Sequence, residues 1–102
     1  MREETPLQAE ILKYLNSLDR CKAIKVVKAN EDGVSDIICC YRGHYVAFEV
    51  KDPNLSRKEV IKNQNQQVFI LEVVQAGGLG YFVQSLAKVK HEIFIIDEML
   101  GG

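Results

Sequence analysis

The sequence predicts a single α/β domain in which a central mixed β-sheet is flanked by helices. The chain has 102 residues, enough to bury one hydrophobic core but not two. Apolar residues make up 47% and charged residues 26% of the chain, which is typical of globular proteins and excludes a disordered chain. Helical and strand patterns alternate in the order α-β-β-β-α-β-α, so a three-stranded meander precedes a crossover helix and a fourth strand.

The first helix is predicted from its N-terminal cap and from one apolar stripe. Thr5 and Gln8 have the spacing of a capping box, and Pro6 suits the first helical position. The stripe repeats at steps of three and four residues and comprises Leu7, Ile11, Leu15 and Leu18. Glu10 falls at the margin of this buried face rather than opposite it.

Runs of β-branched and apolar residues between turn residues predict the four strands. The strand segments are 23–29, 34–41, 44–51 and 80–84. The residues from Asn30 to Gly33 have turn chemistry, and Arg42-Gly43 marks a tight hairpin between the second and third strands. Both faces of the central strands are largely apolar, which predicts helices on each side of the sheet.

The later helices are predicted from their caps. Ser56 and Glu59 form a second capping box and open a helical region that breaks near 63–65. A helix then covers 66–76 and ends at Gly77-Gly78, a typical left-handed stop. Beyond the fourth strand we expect a short helix that Ser85 caps, a last short strand over 93–96 and a flexible tail over 97–102.

The predicted hairpin sets charged residues of the second and third strands opposite each other. A two-residue turn at Arg42-Gly43 sets Asp36 directly opposite Glu49, with Lys51 on the same face of the sheet. Opposed residues have Cβ atoms about 4.5–5.5 Å apart, where like charges are destabilising. Either one carboxyl therefore takes up a proton, or a cation lies between the two.

A hard divalent cation such as Mg²⁺ suits two carboxylates with an open approach side. It makes a bound water more acidic, and together with the Lys51 ammonium it neutralises charge on phosphate oxygens. Glu10 is a further acid that the first helix can bring near this pair. Gln66 shares a helix face with apolar residues, which is an unusual place for an amide that binds nothing.

These residues resemble the signature of the PD-(D/E)XK nucleases. The matching segments are Gly33-Val34-Ser35-Asp36 and Phe48-Glu49-Val50-Lys51, with Ser35 where proline often stands. The whole chain is similar to the VRR-NUC branch, in which an early helical Glu precedes these strands and a Gln-headed helix, Gly-Gly and an aromatic strand follow. The further matching positions are Glu10, Gln66, Gly77-Gly78 and Tyr81-Phe82-Val83.

The resemblance implies a PD-(D/E)XK restriction-endonuclease-like core and a role for each site residue. Asp36 and Glu49 would bind the metal, with the backbone carbonyl of Val50 as a third ligand. Lys51 would position or activate the water, or stabilise the transition state. Glu10 would support the metal shell as an outer group.

Gln66 would orient Lys51 or the substrate, but its identity stays open at this stage. The segment 52–65 is longer than is usual in the family, so Gln64 and Gln67 compete for the same role. Gln66 is preferred because its spacing to Gly77 matches the family best.

The family resemblance implies a Mg²⁺- or Mn²⁺-dependent endonuclease that hydrolyses DNA phosphodiester bonds. Small stand-alone members resemble phage-type enzymes that act as homodimers on branched DNA, in the manner of Holliday-junction resolvases. The alternative is a catalytically silent nucleic-acid-binding or assembly module on the same fold. A third hypothesis is a dimeric scaffold with no nucleic-acid partner.

The charge balance restricts how nucleic acid is bound. The formal net charge is −1, so a polyanion has to meet a local basic patch, and its affinity should fall steeply with salt. Arg57, Lys58 and Lys62 follow the third strand and are weak candidates for phosphate contacts.

The cysteines and the absence of targeting patterns predict a cytoplasmic protein, in the host cytoplasm if it is viral. The three cysteines are an odd count, and Cys39 and Cys40 are neighbours that point to opposite faces of a strand, so we expect reduced thiols. No apolar run is long enough to span a bilayer, and no secretion signal is expected at the N-terminus. We therefore expect no association with a membrane. We also expect no organic cofactor.

Overall fold

The computed structural model describes residues 4–60 and 63–101. Four helices and four strands occur along the described chain, and they are listed here with their bounds. They are α1 (Pro6–Ser17), β1 (Cys21–Lys25), β2 (Ile37–Tyr41), β3 (His44–Val50), α2 (Arg57–Val60), α3 (Gln64–Gln75), β4 (Leu79–Val83) and α4 (Leu86–Met99).

The strands form one four-stranded mixed sheet in the order β1-β2-β3-β4. The β1/β2 and β2/β3 pairs are antiparallel, and β4 runs parallel to β3. A parallel neighbour requires a crossover connection, which the segment containing α2 and α3 provides. The α/β class, the strand order and the mixed sheet therefore agree with the prediction from the sequence.

The hairpin register also agrees with the prediction. Ile37 pairs with Phe48, and Tyr41 pairs with His44 across the turn. Arg42 and Gly43 both have positive φ values, 52° and 85°, which is the conformation of the hairpin turns whose twist matches that of the strands. One position beyond the last paired residues, this register sets residue 36 against residue 49.

The two faces of the sheet are covered by different helices. One face carries the main core, in which Ile11 and Leu15 of α1 and Ile93 of α4 are buried together with Ile37 and Phe48. On the other face, α3 packs over β3 and β4. There Ile70 packs closely against Gly80, where an added Cβ would lie 2.9 Å from the Ile70 side chain. The candidate site lies on this second face.

The predicted last strand and tail are wrong. Residues 93–96 belong to α4, which continues to Met99 and is followed by a cap at Leu100. The run of four apolar residues resembles a strand locally, but Val89, Ile93 and Ile96 have helical spacing and are all buried against the core. Burial of this stripe therefore favours one continuous helix.

The first two strands are shorter than predicted. β1 covers Cys21–Lys25 rather than 23–29, and β2 begins at Ile37 rather than at residue 34. The side-chain amide of Asn16 accepts from the N–H of Ala23 and donates to its carbonyl, at 2.8 and 3.1 Å. These two hydrogen bonds hold β1 against the end of α1. They depend on how the helix packs beside the strand, which strand propensity alone does not predict.

The predicted caps are present. The Thr5–Gln8 and Ser56–Glu59 boxes each have both of their hydrogen bonds. α3 begins two residues earlier than predicted, because the Asn63 side chain caps it by accepting from the N–H of Gln66 at 3.2 Å. At its end, the N–H of Gly78 donates to the carbonyl of Val73 at 2.9 Å, as in a Schellman motif.

The three cysteine thiols are free. Cys39 is buried and Cys40 is exposed, as expected for neighbours on a strand. Burial raises the pKa of the Cys39 thiol above its ordinary value. None of the helices in the described ranges is both long and apolar enough to cross a membrane.

Candidate active site

Asp36 lies where the ladder between β2 and β3 ends, and only 4% of it is exposed. Its backbone carbonyl accepts from the N–H of Val26 at 2.8 Å, which holds it to the chain that leaves β1. Its carboxylate Oδ2 accepts from the N–H of Val50 at 3.0 Å. The Asp36 carboxylate therefore extends the hydrogen bonding between β2 and β3 beyond the end of the backbone ladder. Its partner is Val50, the residue that follows Glu49.

Glu49, Lys51 and Gln66 form a connected polar group under the first turn of α3. Gln66 Nε2 donates to Glu49 Oε1 at 2.5 Å, and Lys51 Nζ donates to Gln66 Oε1. Lys51 Nζ lies 3.8 Å from Glu49 Oε1. Glu49 is almost fully buried and Lys51 is half-buried. One glutamine thus fixes the relative positions of a buried carboxylate and a partly exposed ammonium.

The structure distinguishes among the three glutamines that the sequence left open. Gln66 is buried and contacts two of the charged side chains at once. Gln64 and Gln67 are exposed on the outer side of α3, where they line a shallow surface cavity with Val68 and Leu71. Gln66 is therefore the glutamine of this site.

A glycine brings the loop of Asp36 and the start of α3 together. Gly33 has a φ of +82°, and a Cβ there would lie 2.3 Å from the backbone oxygen of Asn65. Only glycine allows both this conformation and this approach. The turn chemistry around residue 33 predicted a bend in the chain, but not its close contact with α3, so the supporting roles of Gly33, Asn63 and Asn65 were missed.

The Val50 carbonyl, expected to be a third metal ligand, belongs to the residue whose N–H binds Asp36. Because the N–H and carbonyl of one strand residue point to the same side, this carbonyl is directed towards the side of β3 on which Asp36 lies. The orientation is compatible with the expected role.

Glu10 is exposed on α1, whose buried residues Ile11 and Leu15 belong to the core on the other face of the sheet. The first turn of α1 approaches the end of β3, since Thr5 to Gln8 and Val50 to Pro53, Lys51 included, line a cavity of about 340 Å³. The role of Glu10 as an outer group of the metal shell stays a prediction. In the described part of the chain, no three side chains of His, Cys, Asp or Glu converge on a common metal position.

The weaker candidates for nucleic-acid contact lie beyond the end of β3. Arg57 and Lys58 are both exposed on α2. Lys62 lies outside the described residues. The structure therefore leaves two of the three predicted basic residues on an accessible surface near the site.

The donor set fits a hard divalent cation. Mg²⁺ is commonly bound by one or two carboxylates, with waters and substrate phosphates completing its shell. Asp36 and Glu49 supply the two carboxylates from neighbouring strands, and Lys51 supplies a positive charge on the same side. Such a site can stabilise the negative charge that develops on a phosphoryl group.

No protein-family model, curated protein or solved structure matches this chain. Of the five side chains predicted for the site, Glu49, Lys51 and Gln66 are joined by contacts, and Asp36 lies beside them at the end of the β2/β3 ladder. The place of Glu10 in the site stays a prediction.

Proposed function

We propose that this protein is a divalent-metal-dependent endonuclease that hydrolyses DNA phosphodiester bonds. The observation that carries the proposal is the buried carboxylate of Glu49, linked through Gln66 to the Lys51 ammonium and set beside Asp36. A purely structural network does not need two neighbouring acids at the end of a hairpin, because like charges there are destabilising.

Asp36 and Glu49 would hold Mg²⁺, for which Mn²⁺ would substitute, and the Val50 carbonyl would be a third ligand. When bound, such an ion acts as a Lewis acid towards the phosphate and lowers the pKa of water. Lys51 places its ammonium at the attacked phosphate or at the attacking water. Gln66 is a positioning residue, because it holds Lys51 at a fixed place relative to Glu49.

The substrate form and the assembly are part of the same proposal. The family resemblance favours branched DNA such as a four-way junction, cut by a homodimer. A symmetric dimer presents two equivalent sites and doubles any basic surface, which matters for a chain with a net charge of −1. DNA affinity should therefore fall steeply as salt increases.

The test is a cleavage assay on supercoiled plasmid and on a four-way junction, with EDTA, Mg²⁺ or Mn²⁺. We expect metal-dependent cleavage by the wild-type protein. The Asp36→Ala, Glu49→Ala and Lys51→Ala variants should be folded but inactive. Full metal-dependent cleavage by all three variants, or equal cleavage in EDTA, overturns the proposal. Circular dichroism of each variant separates loss of activity from loss of fold.

The second candidate is a catalytically silent nucleic-acid-binding or assembly module. The observation that favours it is that Gln66 already satisfies both Glu49 and Lys51, as in a stabilising polar network. This hypothesis predicts DNA binding in a gel-shift assay without cleavage under any metal condition. A scaffold without a nucleic-acid partner would show neither binding nor cleavage.

A further inference from the structure

A second polar cavity lies beside the candidate active site. It has a volume of about 520 Å³ and is lined by Arg57, Val60, Phe82, Gln84 and Lys88. These residues come from three elements, α2, β4 and α4, and from the junction that precedes α4.

The cavity adjoins the site through the register of the sheet. Phe82 is the parallel partner of Glu49, so the two side chains lie on the same face of strands about 4.8 Å apart. The Phe82 side of the cavity is therefore one strand away from Glu49.

Gln84 holds the chain that leaves β3. Its Nε2 donates to the carbonyl of Asp52 at 3.0 Å and to that of Leu55 at 2.9 Å. The segment that precedes α2 is thereby tied to the end of β4. Arg57, at the start of α2, follows this tied segment and lines the cavity.

The lining has the chemistry that binds a nucleotide. Arg57 and Lys88 provide two cations, which suit a phosphate, and the Phe82 ring provides a half-buried aromatic surface for a base. Lys88 also forms an ion pair with Glu92 at 3.1 Å, which reduces its net attraction for an anion. Arg57 is therefore expected to be the stronger phosphate contact.

Resting on the proposed nuclease function, we propose that this cavity binds one nucleotide of single-stranded DNA next to the phosphate to be cut. Arg57 and Lys88 contact its phosphate, and its base stacks on Phe82. The cavity thereby favours a substrate whose strands are separated near the site, because a paired base is not free to stack on a protein ring.

The experiment measures binding of a labelled oligothymidylate by fluorescence anisotropy in EDTA, so that no cleavage is required. Arg57→Ala should raise Kd about 5- to 10-fold and lower the slope of log Kd against log salt by about one. Phe82→Leu, which keeps an apolar side chain, should raise Kd by about 5-fold or more without changing that slope. Lys88→Gln should have a smaller effect than Arg57→Ala.

The matched controls are Lys13→Ala, which removes an exposed charge from α1, and Phe94→Leu, which removes an exposed ring from α4. Each control should change Kd by less than about 2-fold. Equal losses from Lys13→Ala and Arg57→Ala, or unchanged binding in both Arg57→Ala and Phe82→Leu, overturn the proposal. Thermal unfolding tests whether Phe82→Leu keeps its fold. If this variant unfolds, the binding of Arg57→Ala alone decides whether the proposal stands.

The outcomes separate this inference from the proposed function. Binding that depends on Arg57 and Phe82, without metal-dependent cleavage, supports the cavity and overturns the nuclease. Cleavage that depends on Asp36 but not on Arg57 or Phe82, with unchanged binding, supports the nuclease and overturns the cavity.

Discussion

Two partly buried polar clusters lie at opposite ends of β2 and on opposite faces of the sheet. At the hairpin end, the Asp97 carboxylate of α4 accepts from the Tyr41 hydroxyl at 2.6 Å and from Arg42 Nη1 at 3.1 Å. At the other end are Asp36 and Glu49, with Lys51 and Gln66 beside them. The first cluster joins one acid to two donors, whereas the second brings two acids from neighbouring strands together.

The difference shows what each cluster is suited for. Around Asp97, the donors match the acid, which is the arrangement that stabilises a fold. Burial, followed by the hydrogen bond to Asp97, raises the pKa of Tyr41 to about 12, so the phenol stays protonated as a donor. The group around Glu49 places two acids from neighbouring strands close together, an arrangement that a bound cation would stabilise.

The largest expected effect concerns Gln66. Gln66→Ala should lower the rate of metal-dependent cleavage by about 10- to 100-fold, because a residue that orients a catalytic group typically contributes that much. Plasmid nicking in Mg²⁺ measures the rate. The matched control is Gln67→Ala, which changes an exposed neighbour and should leave the rate unchanged. Equal rates for wild type and Gln66→Ala would contradict its positioning role.

Tyr41→Phe tests the cluster at the hairpin end. The change removes the hydroxyl that donates to a charged acceptor, so the free energy of unfolding should fall by about 1.5–2 kcal/mol. Urea denaturation measures it. Tyr45→Phe is the matched control on the same hairpin, because that tyrosine is exposed, and it should cost less than about 0.5 kcal/mol. The cleavage rate should not change in either variant, and a loss of activity in Tyr41→Phe would break the distinction between the clusters.

Asp36→Asn should act in the opposite direction. Asparagine keeps an acceptor for the N–H of Val50 but removes one of two neighbouring negative charges, so stability in EDTA should rise by about 0.5–1 kcal/mol. Thermal unfolding in EDTA and in Mg²⁺ measures both states. Mg²⁺ should stabilise the wild type more than the variant. The control is Asp32→Asn, an exposed acid in the preceding turn, and a fall in stability for Asp36→Asn alone would argue against charge repulsion in the site.

The smallest expected effect on stability at neutral pH comes from the ionisation of Tyr41. The pKa of Tyr41 is about 12 in the folded protein, against an ordinary value of 10.0. A group with a raised folded pKa contributes stability that is complete below the unfolded pKa and is lost as pH rises through the folded pKa. Stability should therefore fall between pH 10 and about 12, and this fall should be smaller in Tyr41→Phe. Ultraviolet absorbance of tyrosinate during alkaline titration checks the ionisation, and identical profiles for both proteins would contradict it.

The hairpin and the caps were predictable because their causes are local. Arg42-Gly43 fixes the β2/β3 register through the backbone geometry of two residues, and the register then determines that Asp36 faces Glu49. Thr5 with Gln8 bonds to its own helix end, so three-residue spacing is enough to recognise it. Local chemistry therefore predicted the acidic pair from the sequence.

The last helix and the position of Glu10 were not predictable in the same way. Residues 93–96 have an apolar run that fits a strand or a helix, and packing of Ile93 and Ile96 against the core favoured the helix. Glu10 lies at the margin of an amphipathic stripe, and its direction depends on which face of the sheet α1 covers. Neither the helical state of residues 93–96 nor the direction of the Glu10 side chain is determined by a few neighbouring residues.

The sequence by itself determined the α/β class, the hairpin register and therefore the pairing of residues 36 and 49, because turns, caps and period-two alternation act over short distances along the chain. Only the tertiary structure decided that Gln66 contacts Glu49 and Lys51, that Gly33 packs on Asn65, and that Arg57 and Lys88 line one cavity. Those contacts join residues far apart in sequence, and they form only when burial of the shared core fixes how the helices pack on the sheet.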